Sequence, residues 1–256
     1  QLAFEEWRQL YQKGKLNTIQ RQFFETRQAE ALYDVEVDPH ETRNLASDPS
    51  FAKALDEMRN LMSSELREIN DLSFFPEPIM LKEAMKSPVN YGKDKSDHID
   101  KLLGIADLQL RPYEEVQAQI KEALISEDPW SRYWGCIVAS SHRKITSEQV
   151  GLIAKIADND MEPLVRCRAA EFLGLTGEKD PRPAIKQALK MSTMAVETNL
   201  ILNTAVLLHD GPSGFKFNKL SMKDVNYDGR YVEARVAYLS NKKTPAPLKK
   251  KKRKKG

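Results

Sequence analysis

The sequence predicts a mainly α protein with one small β element near its start. Three observations carry this. Apolar residues recur at helical spacing through most of residues 113–239. A pattern there repeats at an offset of 34 residues. One short stretch, 31–37, alternates with period two instead, with Tyr33, Val35 and Val37 on one face and Leu32, Asp34 and Glu36 on the other.

In chain order, Trp7, Leu10 and Tyr11 share one face of a helix, Gly14 interrupts it, and Asn17-Thr18 offers a cap for a second short helix reaching Phe23 and Phe24. The alternating stretch is expected to be a strand. Asp38-Pro39-His40-Glu41 then reads as a turn, because Asp accepts nearby backbone bonds and Pro fixes its own φ. Asp48-Pro49 starts a helix running to about Asn70, with Phe51, Ala54, Leu55, Met58, Leu61, Met62 and Leu66 as its apolar stripe. Pro76, Pro78, Pro88 and Gly92 break any period in 71–112. That segment reads as an extended connector with one short helix from His98 to about Ile105.

The repeat is carried by Pro129-Trp130-Ser131-Arg132 against Pro163-Leu164-Val165-Arg166, and by residues 173–177 (LGLTG) against 207–211 (LLHDG), each at an offset of 34. Repetition of this size means helix pairs that stack on one another. Asp128-Pro129 and Asp180-Pro181 supply turns, and Gly177 and Gly211 supply stops. The domains expected are 1–70, the connector 71–112, the repeats 113–240 and a Lys-rich disordered tail 241–256.

Composition is that of an ordinary globular chain, with 41% hydrophobic and 30% charged residues. No apolar run approaches the roughly 18 residues of a membrane span. Nine basic residues follow Asn241, and removing them takes the net charge from +3 to −6. An acidic body of this kind argues against a nucleic-acid partner. Cys136 and Cys167 lie in helical stretches outside any CxxC pattern and read as buried small apolar residues. His40 in its acidic turn and His98 among charges read as solvated rather than metal-binding. His142 and His209 end helices, where a cation suits the helix dipole. Trp130, Tyr133 and Trp134 with Arg132 read as the inner face of a repeat helix, the competing reading being a carbohydrate-stacking platform.

Residues 30–46, EALYDVEVDPHETRNLA, resemble the signature near the end of the sulfatase family. The matching positions are Leu32, Tyr33, Asp34, Val35, Asp38, Pro39, Glu41, Asn44, Leu45 and Ala46. The flanking residues 13–34 and 47–62 resemble the approach and following helix of a microbial subgroup whose members carry a HEAT-like helical tail. The resemblance implies a small α+β subdomain remnant, in which 31–37 is the last strand of an antiparallel sheet, followed by a HEAT-like α-solenoid. It also implies a parent enzyme that hydrolyses sulfate esters through a formylglycine and a calcium ion, exported to a periplasmic or extracellular space. The formylglycine motif, Cys/Ser-x-Pro/Ala-x-Arg, is matched neither at Cys136 nor at Cys167. No catalytic, cofactor or metal residue is therefore carried over to this chain. The catalytic domain is expected upstream of Gln1, with a sulfated substrate as a further contact. Without the resemblance, the sequence reads as a helical-repeat protein-interaction scaffold with a basic tail.

Overall fold

The computed structural model describes residues 2–227 and 229–242. The fold is mainly α, with thirteen α-helices and no strand among the described residues. The described residues form two compact units, divided between Leu66 and Arg67. The Lys-rich tail beyond Lys242 lies outside the described residues, as does the disorder expected of it.

The first unit begins with α1 (Leu2–Gln12) and the single-turn α2 (Thr18–Arg21). Asn17 caps α2 in a reciprocal box: Gln20 N–H donates to Asn17 Oδ1 at 2.8 Å, and Asn17 N–H donates to Gln20 Oε1 at 3.1 Å. Trp7 and Tyr11 then meet Phe23 and Phe24 at ring separations of 4.8–4.9 Å. Asp48 accepts from Ser50 N–H at 3.0 Å and starts a 3-10 turn that leads into α3 (Ala52–Glu68).

The expected strand at 31–37 does not form. Leu32 is bonded locally, donating to Asn44 Oδ1 at 3.0 Å and accepting from Leu45 N–H at 2.8 Å. From Asp34 the backbone turns. Its carboxylate accepts from the N–H groups of Glu36 and Val37, and its carbonyl accepts from Asp38 N–H at 2.8 Å. A strand needs neighbours to pair its backbone and cover its apolar face. None is present among the described residues, so the Asp34 side chain closes the turn instead, leaving Val35 and Val37 exposed.

The second unit starts with residues read as an extended connector. The short helix expected from His98 to about Ile105 forms as α6 (Ser96–Ala106), but the residues before it are also mostly helical, in α4 (Glu77–Ile79) with a following π turn and α5 (Pro88–Asp94). The prolines misled because they stand at helix starts, where a missing N–H costs nothing: Pro78 opens α4 and Pro88 opens α5. Phe74 and Phe75 are buried ahead of them.

Seven helices follow: α7 (Tyr113–Ile125), α8 (Pro129–His142), α9 (Ser147–Asn159), α10 (Pro163–Thr176), α11 (Arg182–Met191), α12 (Ala195–Asp210) and α13 (Arg230–Leu239). Both α7 to α9 and α8 to α10 start 34 residues apart. Helix α10 packs on α8, α9, α11 and α12. That is why it is apolar or small on nearly every side, with Leu164, Val165, Cys167, Ala169, Ala170, Phe172 and Leu173 all buried. Polar bonds follow the same spacing. Arg168 Nε donates to Tyr133 Oη, Thr204 Oγ1 to Glu171 Oε2, and Asn226 Nδ2 to the Ser192 carbonyl. The stops differ in kind. Gly177 takes φ +76° and lets Glu178 N–H reach the Leu173 carbonyl at 3.0 Å. At Gly211 a Cβ would stand 2.6 Å from the Leu207 carbonyl oxygen.

Candidate functional site

Three places gather polar side chains: the loop at 30–46, the α8–α10 face, and a cleft beside α11.

In the loop, the residues of the sulfatase-like signature act on backbone. Asp38 accepts from Thr42 N–H and Arg43 N–H, both at 2.7 Å, and from Thr42 Oγ1 at 3.1 Å. These bonds, the Arg43 amide foremost, hold its carboxyl below the usual carboxylate range. Asn44 Oδ1 accepts from Leu32 N–H and Ala46 N–H, both at 3.0 Å, while its amide donates to Gln28 Oε1 at 2.8 Å. Leu45 between them is buried. The hydrogen bonds of these side chains brace the loop. His40 is exposed there.

On the α8–α10 face, the two arginines three residues after Pro129 and Pro163 do parallel work. Arg132 grips Asp160 through Nε at 2.7 Å and Nη2 at 3.1 Å, and Nη1 donates to the Ser126 and Glu127 carbonyls. Arg166 donates to the Ala157 and Asp160 carbonyls, both at 2.8 Å. Each guanidinium thus pins the loop before its own helix, and Arg132 also ties the loop of the next pair. Asp160 raises the pKa of Arg132, whereas burial lowers that of Arg166.

The aromatic cluster is part of the packing. Tyr133 is buried under the Arg168 guanidinium, 5.4 Å from its ring centroid. Trp134 Nε1 donates to the Phe74 carbonyl at 2.8 Å, its ring 5.7 Å from that of Phe74. Trp130 is half-buried against the core. No open stacking face is left on Tyr133.

Cys136 and Cys167 are free and buried. Burial pushes both thiols up, Cys167 to about 12, so neither offers a thiolate near neutral pH. His98, expected to be solvated, is half-buried instead: Nε2 lies 2.9 Å from Asp128 Oδ2, with the ring edge-on to Phe75 at 5.1 Å. His142 Nε2 lies 3.2 Å from the Leu108 carbonyl. His209 Nδ1 accepts from Phe217 N–H at 3.1 Å, and burial lowers its pKa.

No group of three or more His, Cys, Asp or Glu side chains among the described residues could hold a metal ion. The donor sets of the described residues do not fit the calcium and formylglycine that the resemblance implies for a parent enzyme. Among the described residues, no helix is long and apolar enough to cross a membrane.

The place that sequence reading missed is a cleft of about 590 Å³ between the start of α11 and the loop after α12. Arg182 and Lys186 line one side, Lys216 and Lys219 the other, with Asp180 as the one acid of the lining. The i,i+4 spacing of Arg182 and Lys186 was a sequence signal for one wall. Nothing in the sequence brought Lys216 and Lys219 opposite it.

The fold and these sites define a mainly α protein built on packed helix pairs. No family model, curated protein or solved structure matches the chain.

Proposed function

We propose that this chain is the C-terminal part of a sulfatase, a hydrolase of sulfate esters, and that the chemistry resides in sequence preceding Gln1. The observation that carries the reading is the signature at 30–46, whose matched residues Leu32, Asp34, Asp38, Asn44 and Leu45 all take structural roles. A structural signature belongs to a supporting subdomain rather than to a reaction centre. The first unit also leaves apolar surface open: Met58, Leu61 and Met62 on α3 are 56%, 57% and 62% exposed. A stripe of that kind suits a helix meant to pack on further chain.

In this reading the 34-residue helix pairs are a HEAT-like α-solenoid that positions the enzyme or its substrate. The parallel loop-pinning by Arg132 and Arg166 supports the likeness. The coding sequence upstream of Gln1 tests the proposal. It should continue in frame into a Cys/Ser-x-Pro/Ala-x-Arg motif, and mass spectrometry of the natural protein should find formylglycine there. An upstream domain lacking that motif would overturn the reading. The purified chain by itself should leave an aryl sulfate intact, and turnover above background would refute the placement of the chemistry.

A second reading, a helical-repeat scaffold for another protein, is favoured by the same helix pairs, because repeated pairs present continuous surfaces to partners. It would gain if the upstream sequence carried no hydrolase motif.

A further inference from the structure

We propose that the cleft between α11 and the loop after α12 binds an anionic oligosaccharide. Its lining holds four cations to one acid. This is a local reversal of sign, since the body without its tail is net negative. A cleft that gathers one sign of charge raises the local concentration of opposite charge. Its volume of about 590 Å³ lies within the range of small-ligand sites.

The four cations differ in availability. Asp180 holds Arg182 in a two-pronged pair at 2.7–3.1 Å. Lys186 leans toward Asp224 at 3.4 Å. Lys216 spends one proton on the His209 carbonyl at 2.7 Å, which leaves its charge uncompensated. Lys219 is exposed and makes no hydrogen bond or ion pair among the described residues. The net pull therefore comes from Lys216 and Lys219, while Asp180 and Asn218 interrupt the positive charge. A ligand with anionic groups set apart by hydroxyls matches this alternation. A string of contiguous charges would meet the Asp180 carboxylate.

The aromatic groups decide against single-stranded nucleic acid. Such binding stacks bases on exposed rings. Here Phe217 is 3% exposed, and Phe215 lies beneath Arg182, 5.9 Å from its guanidinium carbon. Pro183 and the lysine stems offer instead the apolar walls that the C–H face of a sugar needs. These features belong to the cleft alone and hold whether or not the chain comes from a sulfatase. A sulfated and a carboxylated glycan share the chemistry it recognises.

The test uses the full chain, so that the basic tail contributes equally to every variant. Fluorescence anisotropy at physiological salt would read binding of a heparin oligosaccharide, an oligogalacturonate, a neutral maltohexaose, a hexaglutamate and an oligothymidylate of matched charge. Lys219→Glu should weaken binding of at least one anionic glycan by about tenfold. Lys53→Glu, the same charge change on a side chain 90% exposed in the first unit, should weaken it less than about twofold. Lys216→Gln, which keeps a donor for the His209 carbonyl, should fall between them. The sulfated and carboxylated arms name the source of the anion, and tighter binding of either supports the proposal. Equal losses in Lys219→Glu and Lys53→Glu would overturn it. So would maltohexaose, hexaglutamate or oligothymidylate binding as tightly as the better anionic glycan.

Discussion

The first unit and the helix pairs of the second differ in how each side chain is satisfied. In residues 2–66, only Leu45 and Leu55 among the hydrophobic side chains are buried. Order there comes from side chains bonded to backbone: Asn17, Asp34, Asp38, Asn44 and Asp48 each brace a turn or cap. From α7 to α13 one continuous core runs through every helix, and Phe172, Ile120, Ile153, Ile185 and Leu202 are completely enclosed. Local hydrogen bonds fix the shape of a loop but add little net stability, since water competes for every one of them. Buried apolar surface is the dominant favourable contribution to folding. The two regions should therefore differ far more in stability than in regularity.

Hydrogen exchange gives the largest expected contrast. Amides of α8 and α10, such as those at 133–139 and 169–173, should exchange only on global unfolding, whereas those at 32–37 should exchange at least about a thousandfold faster. Strong protection of 32–37 would break the comparison and show that this stretch finds a pairing partner. Core truncation comes next. Phe172→Ala should cost about 3–5 kcal/mol by thermal or denaturant unfolding, and Met62→Ala, on the exposed stripe of α3, less than about 0.5 kcal/mol.

Ion pairs sharpen the same point. Asp160→Ala removes the grip on Arg132 from a side chain only 4% exposed, and should cost about 2–3 kcal/mol. Arg59→Ala breaks the more open pair with Glu30 and should cost less than about 1 kcal/mol. A double-mutant cycle on each pair would separate coupling from lost packing.

The pH effect is smaller. Burial and the nearby Lys216 depress the His209 pKa below its ordinary 6.5. The unfolded chain therefore takes up the proton more readily, and this contribution to stability is complete above pH 6.5 and is lost as pH falls through the lowered pKa. The midpoint of unfolding should drop between pH 7.5 and 5.5, and His209→Asn, which keeps an acceptor for Phe217 N–H, should lessen that drop. The smallest effect is expected from Leu61→Glu, near zero in this chain. In a longer protein whose preceding domain covers α3, the same change should lower stability measurably, and a null result there would count against α3 as a packing face.

Sequence by itself determined the helix after Asp48-Pro49, the helices of 113–239 and the 34-residue offset of α7 from α9 and α8 from α10, because helical periodicity, acidic turns and prolines at first turns are local properties. It also placed Cys136 and Cys167 in the core and Gly177 at a helix stop. Tertiary structure alone decided three things. At 31–37 alternation was present, but a strand depends on partners at a distance, and a nearby Asp34 carboxylate won. Across 71–112 the prolines were ambiguous between breaking a helix and opening one, and burial of Phe74 and Phe75 went with the second outcome. In the cleft, Lys216 and Lys219 lie more than 25 residues from Arg182 and Lys186 in the chain, and only the packing of the loop after α12 beside the start of α11 sets them opposite each other. Local signals fix what a segment forms, whereas the meeting of separated side chains is set by packing, which no window of sequence contains.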